Sequence, residues 1–306
     1  MITSIFNKSR PINYIIVFFI VVLAFLISVF KYYGETFSWY NIGHLLFNFL
    51  LVLITVFTLN FIVTKNALTK DNTFALFIVS IYILLVPQVF FSTKLLLSNL
   101  FILLAIRRLV SLASQKNTVK KLVDSGVLIA LASVFYIWSV WFLILPIIAV
   151  YLHSENRLNY WLIPCIGALS VGIISFAIYL LNPIWFNTNI SMEGLNYDFT
   201  NYNSLQIIIA LTLIFGLGVW FSFSYVPAIK KRKRIKWPAY KLVFFYLCIS
   251  VIVFFFKADK VISEFVIMSV PFAIVAANYF QKNSDKWFKN GLLILWLILS
   301  TYLVFV

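Results

Sequence analysis

Apolar runs of about twenty residues follow one another along this chain, separated by short polar segments. A run of that length with few charges is what an α-helix needs to cross the roughly 30 Å hydrocarbon core of a bilayer, at about 1.5 Å per residue. Composition points the same way. Of 306 residues, 63% are apolar and 11% charged, where a soluble domain averages about 45–50% and about 25%. The apolar content supplies about ten or eleven spans with little left over. A soluble enzyme, a secreted disulfide scaffold, a disordered protein and a DNA-binding module are thereby excluded. The expected fold is an all-α polytopic membrane bundle, a single integral membrane domain over residues 1–306.

Eleven spans are expected, over 12–31, 45–63, 73–91, 94–112, 122–136, 138–152, 160–181, 205–227, 241–257, 264–280 and 288–306. The stretch 122–152 reads as two short helices meeting near Tyr136 and Trp138, because as one helix it would be about 46 Å long. The span at 94–112 is weakly apolar at both ends, which suits a partly buried or interfacial helix. Lys8 and Arg10 precede a first apolar run too long for a signal-peptide h-region. No small-x-small cleavage site follows it, so 12–31 reads as an uncleaved span.

Charge sets the orientation, since basic residues stay on the cytoplasmic side of short loops. With the N-terminus in the cytoplasm, twenty of the 24 Lys and Arg fall in inner segments; Lys31, Lys94, Lys257 and Lys260 fall outside. Dropping one span would invert every later loop and put KKRKRIK outside. The expected C-terminus is periplasmic. Outer loops lie near 32–44, 182–204 and 257–263, and a basic inner loop lies at 228–240. The net charge of +15 thus reads as topology and calls for no nucleic-acid partner.

Three outer segments carry residues capable of chemistry. The first, FKYYGETFSWYNIGH, holds Glu35 among Tyr32, Tyr33, Trp39, Tyr40 and His44. A carboxylate there can serve as a general base or position a metal or a sugar hydroxyl; the same residues also suit an interfacial aromatic belt with one solvated acid. The second, 182–204, has six asparagines, five aromatics and no basic residue. Trp185, Glu193, Tyr197 and Asp198 are its candidate substrate ligands, since aromatic faces and amides suit sugar rings. A polar lid between two spans is the plainer alternative. In the third, Lys257 and Lys260 can bind a phosphate headgroup as point charges, or pair with nearby Asp259 and Glu264. On the inner side Lys230, Lys231, Arg232, Lys233 and Arg234 form a surface for anionic lipid, at about 1 kcal/mol per residue, or for a cytoplasmic partner.

No cofactor is evident. Cys165 and Cys248 lie in apolar runs without metal or redox spacing, and His44 and His153 fall at opposite ends of the topology. The outer acids are too scattered to read a coordination set, so use of a divalent metal stays open. The spans offer amides and hydroxyls, among them Asn48, Gln88, Asn99 and Asn278, expected to bond neighbouring helices. They offer almost no charge, where ion-coupled transporters keep ionisable groups. Ala168-xxx-Gly172 is one of few small-xxx-small pairs for close helix packing.

A first span, an outer loop with a carboxylate, pairs of short helices around 73–112 and 122–152, and the late SEFVIMSVPFAIVAANYF together resemble the integral-membrane glycosyltransferases of the C superfamily. The resemblance implies transfer of a sugar from a polyprenyl-phosphate donor at the periplasmic face. Glu35 would be the catalytic acid of the first outer loop. Lys257 and Lys260, with Pro271 beyond, would stand for the late basic residue. The chain departs from the family in having no paired acids in that loop, and in carrying Glu264-Phe265 where Arg-Tyr is usual. As a whole the chain also resembles an uncharacterised family of Bacteroidota inner-membrane proteins, which implies a multi-pass envelope protein of the bacterial inner membrane. Three functions are expected in order: a lipid-linked glycosyltransferase, a non-catalytic membrane subunit or scaffold of an envelope or secretion assembly with a membrane protein partner, and a lipid or solute transporter.

Overall fold

A computed structural model describes residues 2–32, 39–153, 158–182, 205–256, 262–282 and 285–305. All of its elements are helical. The α-helices are α1 (Ile2–Phe6), α2 (Pro11–Tyr32), α3 (Trp39–Lys65), α4 (Phe74–Leu85), α5 (Thr93–Val110), α6 (Thr118–Phe135), α7 (Ile144–Leu152), α8 (Leu158–Leu181), α9 (Leu205–Lys230), α10 (Trp237–Phe256), α11 (Val266–Phe280) and α12 (Lys286–Phe305). Short 3₁₀ turns cover Pro87–Phe91, Ser111–Ser114, Ile137–Leu143, Arg234–Lys236 and Ile262–Phe265. Each apolar stretch expected to span is helical, and α1 is an addition that hydropathy alone does not reveal.

Among the described residues, seven helices are long and apolar enough to cross a membrane, at Pro11–Lys31, Ile42–Lys65, Thr93–Ser114, Tyr160–Leu181, Ile207–Lys230, Arg234–Phe255 and Ile262–Phe280. Phe74–Leu85 and Ile137–Leu152 are apolar but shorter. The stretch 73–91 is therefore not one continuous α-helix. Proline disfavours the α conformation of the residue before it. Val86 accordingly sits at φ −127°, ψ 67°, and Pro87 opens a 3₁₀ turn. The stretch 122–152 breaks at Tyr136, which is extended at φ −144°, ψ 101°. This is the division expected near Tyr136 and Trp138.

The chain forms two compact units. The first takes Met1–Leu96, Phe199–Lys231 and Val261–Val306. Its centre is α4, buried along its whole length, packed against α11, of which only Tyr279 is not fully buried. Helices apolar all round belong inside a bundle, and α2, α3, α9 and α12 pack around this pair. Phe272 of α11 gathers Tyr82, Phe221 and Trp296 at ring-centroid distances of 5.6, 5.9 and 5.6 Å. Edge and tilted contacts of this kind add to plain area burial. Phe6 of α1 stacks on Phe77 at 4.2 Å, which draws the N-terminus onto α4.

The turn after α3 is held by amides. Asn278 Nδ2 donates to Leu68 O (3.0 Å) and Ile274 O (2.9 Å), and Gln281 Nε2 donates to Asn278 Oδ1 (2.6 Å). Gln281 Oε1 accepts from Lys70 N (2.9 Å). Asn13 Nδ2 donates to Lys8 O and Thr73 Oγ1, each at 2.7 Å. Asn290 Oδ1 of α12 accepts from Thr3 N (2.9 Å) and Oγ1 (2.8 Å).

The second unit takes Leu97–Asp198 and Arg232–Lys260. It rests on α6 against α8. A Cβ on Gly126 would lie 2.1 Å from Pro164 O, and one on Gly167 would lie 2.5 Å from Val123 O. The two backbones touch with no room for any side chain, the packing that small residues permit in membranes. Ala168-xxx-Gly172 is not the seam, because a Cβ on Gly172 meets nothing within 4 Å. Ser98 and Ser139 bond at 2.6 Å, and Phe101 stacks on Phe135 at 5.8 Å, bringing α5 onto the same unit. Overpacking a seam costs about 1–3 kcal/mol. Gly126→Ala should therefore lower the melting temperature of the detergent-solubilised protein, while Gly172→Ala should leave it unchanged. Equal effects of the two would refute the close contact.

Candidate functional site

Of the residues singled out in the sequence, Glu35, Trp185, Glu193, Tyr197, Asp198, Lys257 and Lys260 lie outside the described residues. The basic run is described, and its members differ in surroundings. Lys230, the last residue of α9, and Lys231 belong to the first unit and are exposed. Lys282, beside them, donates to Ser224 O (3.2 Å) and to Ser224 Oγ. Burial first, and then the charge of Lys231, hold the Lys282 ammonium below the usual lysine range. Arg232 is half-buried in the second unit, with its guanidinium 5.3 Å from the centroid of the Tyr240 ring. Its carbonyl accepts the Trp237 indole N–H at 2.9 Å. Lys233 and Arg234 are exposed.

In the second unit Arg234 lines a groove of about 360 Å³ with Ala113, Gln115, Leu152, His153, Ile235, Trp237, Pro238 and Lys241. The local chain explains the shape. Gln115 ends a 3₁₀ turn in the left-handed conformation at φ 51°, with its N–H on Leu112 O at 2.8 Å. His153 caps α7, its Nδ1 bonded to Ala149 O at 2.8 Å. Lys236 N donates to Lys233 O at 2.9 Å, turning the chain into α10. Two cations, Arg234 and Lys241, line the groove, and no carboxylate does. Asp124, in the second turn of α6, is instead paired with Arg108 at 3.2 Å. The groove's volume falls within the roughly 300–1,000 Å³ of small-molecule sites.

The first unit holds two further polar features. His44 Nε2 lies 2.7 Å from Thr93 Oγ1, which donates to Asn48 Oδ1 at 2.7 Å. With the hydroxyl proton committed, Nε2 carries a proton and donates. Asn48, fully buried, donates its Nδ2 to Phe90 O at 2.7 Å. That carbonyl lies in the 3₁₀ turn after Pro87, outside any α-helical ladder. An exposed imidazole is thus held in one orientation by a chain that ends on the backbone.

Glu264 sits in the turn Ile262–Phe265, which packs on Pro87–Phe91, and is only 4% exposed. The neighbouring cavity, lined by Gln88, Pro87, Ile207, Ile262 and Phe265 among others, measures about 30 Å³. That is room for one or two waters, not for a sugar ring. Among the described residues no group of three or more His, Cys, Asp or Glu could hold a metal.

The chain belongs to a family of unknown function, DUF6427, whose model matches residues 1–306. No curated protein and no solved structure matches it. With seven apolar helices of crossing length among its described residues, it has the makeup of a membrane protein.

Replacing one partner of a buried hydrogen bond leaves the other unsatisfied, at a cost of about 1–3 kcal/mol. Asn48→Leu should lower the melting temperature clearly, and His44→Ala, which removes only the exposed end of the chain, should change it little. A His44 effect as large as that of Asn48 would show that the imidazole is structural.

Proposed function

We propose that this chain is a multi-pass protein of the bacterial inner membrane, of the Bacteroidota envelope type, with its N-terminus in the cytoplasm and its C-terminus in the periplasm. In this topology all eleven apolar helical stretches cross or enter the bilayer, and the basic run Lys230–Arg234 stays inside. We propose further that it works on a polyprenyl-phosphate lipid at the periplasmic face, as a transferase of the glycosyltransferase C kind. Glu35 is its acid or base, and Lys257 and Lys260 hold the donor phosphate. The observation in favour is the pair of interrupted helices. Phe74–Leu85 and Thr93–Val110, parted by the turn at Pro87, and Thr118–Phe135 and Ile144–Leu152, parted at Tyr136, stand where the family layout calls for paired short helices. In the proposed topology His44 also faces the periplasm, oriented by Thr93 and Asn48.

A second function is favoured by a separate observation. Of the described carboxylates, Asp124 is committed to Arg108, Glu264 is buried beside a cavity too small for a sugar, and the exposed Asp71 and Asp285 fall in inner segments of the proposed topology, away from the periplasmic face. A non-catalytic membrane subunit needs no exposed acid.

Glu35→Gln separates the two. Under the transferase function it abolishes sugar transfer from a polyprenyl-phosphate donor in isolated membranes at unchanged protein abundance. Unchanged transfer, together with a stoichiometric partner retained in mild detergent, would establish the subunit. Topology is tested independently by a maleimide that does not cross membranes, in a chain with Cys165 and Cys248 replaced by Ser. Lys233→Cys should react only after lysis, and Asp198→Cys in intact spheroplasts.

A further inference from the structure

The groove of the second unit stands where three apolar segments stop. Thr93–Ser114 ends at its wall residues Ala113 and Gln115, Ile137–Leu152 ends at Leu152 and His153, and Arg234–Phe255 begins at Arg234. Thr93–Ser114 and Arg234–Phe255 are of crossing length, and helices of that length end at the level of the lipid headgroups. The lining matches that level in chemistry. Arg234 and Lys241 supply positive charge, Gln115 and His153 supply hydrogen-bonding groups, and Leu152, Ile235 and Pro238 supply apolar surface. Ile235 is 68% exposed beside two cations, which is unfavourable in water and favourable against acyl chains. Trp237, fixed by its bond to Arg232 O, is the amphipathic ring that membrane interfaces prefer. Arginine and lysine side by side suit a phosphate oxyanion, the first by a planar fork of donors and the second as a point charge. The start of α10 at Trp237 adds the positive end of a helix dipole to the same field.

We propose that this groove is a specific site for the phosphate headgroup of an anionic phospholipid, gripped by Arg234 and Lys241 with the glycerol backbone against Ile235 and Pro238. The rest of the basic run then attracts the anionic surface diffusely, and the groove selects one lipid from it. The site depends on membrane embedding and is independent of sugar transfer, so loss of either function leaves the other testable.

Native mass spectrometry of the purified chain in detergent, with phosphatidylglycerol and phosphatidylcholine titrated in turn, tests this. The wild type should retain phosphatidylglycerol with clear preference over phosphatidylcholine. The double variant Arg234→Gln/Lys241→Gln should lose that preference by about a hundredfold, the effect of removing two hydrogen bonds to a charged group. Lys230→Gln/Lys231→Gln removes equal charge from outside the groove and should keep most of the preference. Equal losses in the two double variants would overturn the site in favour of a diffuse field. Full displacement of the lipid by millimolar glycerol phosphate would overturn the lipid assignment in favour of a soluble phosphate. Because the four replaced side chains are exposed, melting temperatures should match the wild type; a drop confined to the groove variant is resolved by Lys241→Arg, which keeps the charge and donors at that position and must keep the preference.

Discussion

Wherever an apolar helix stops before it has satisfied its own backbone, something else must bond the groups it leaves behind, and in a lipid-facing protein that something cannot be bulk water. The buried amides of the first unit answer that constraint. Asn48 covers Phe90 O after the break at Pro87. Asn278 covers Leu68 O in the turn after α3, and Gln281 takes Lys70 N in the same turn. Asn13 covers Lys8 O between α1 and α2. Each amide sits beside a discontinuity, and each is buried. These four amides are therefore replacements for missing rungs of the helical ladder. This is why a chain with so little charge in its spans still tolerates so many interruptions.

What the sequence revealed and what it concealed divide along the same line. Helical segments were legible because each is long, apolar and bounded by polar residues, properties of a single stretch. The break at Tyr136 was legible from length alone, since no bilayer accommodates so long a straight crossing. The break at Val86 has its signal in Pro87, but that signal is ambiguous in sequence, because a proline inside a membrane helix often only kinks it. The α6–α8 seam had no legible signal. Gly126 and Gly167 lie far apart in the chain and form no motif, while in the pair that does form one, Ala168 and Gly172, the glycine faces open space. The groove was half legible. Arg234 stood out within a basic run, yet nothing in spacing joins it to Gln115, His153 and Lys241, which arrive from the ends of three separate helices.

The basic run is not uniform in the fold, although its residues are near-identical by type. Arg232 lies over an aromatic ring and anchors a loop through its carbonyl. Lys231 adds its charge to the burial that already holds the neighbouring Lys282 below the usual lysine range. Arg234 lines a cavity. A topology signal read from charge count alone thus conceals three different physical tasks, and substitutions within it should not be interchangeable.

The first unit is assembled from both ends of the chain. Its central helix α4 is made early, while α11, its principal partner, comes some two hundred residues later, and Thr3 waits for Asn290. During synthesis α4 must therefore enter the membrane without its final neighbour, its buried faces held provisionally by lipid or by α2 and α3. The core closes only when the last two helices leave the ribosome. A stop codon shortly before α11 would accordingly release not a smaller stable protein but a nearly complete one with an open centre, a natural substrate for membrane quality control.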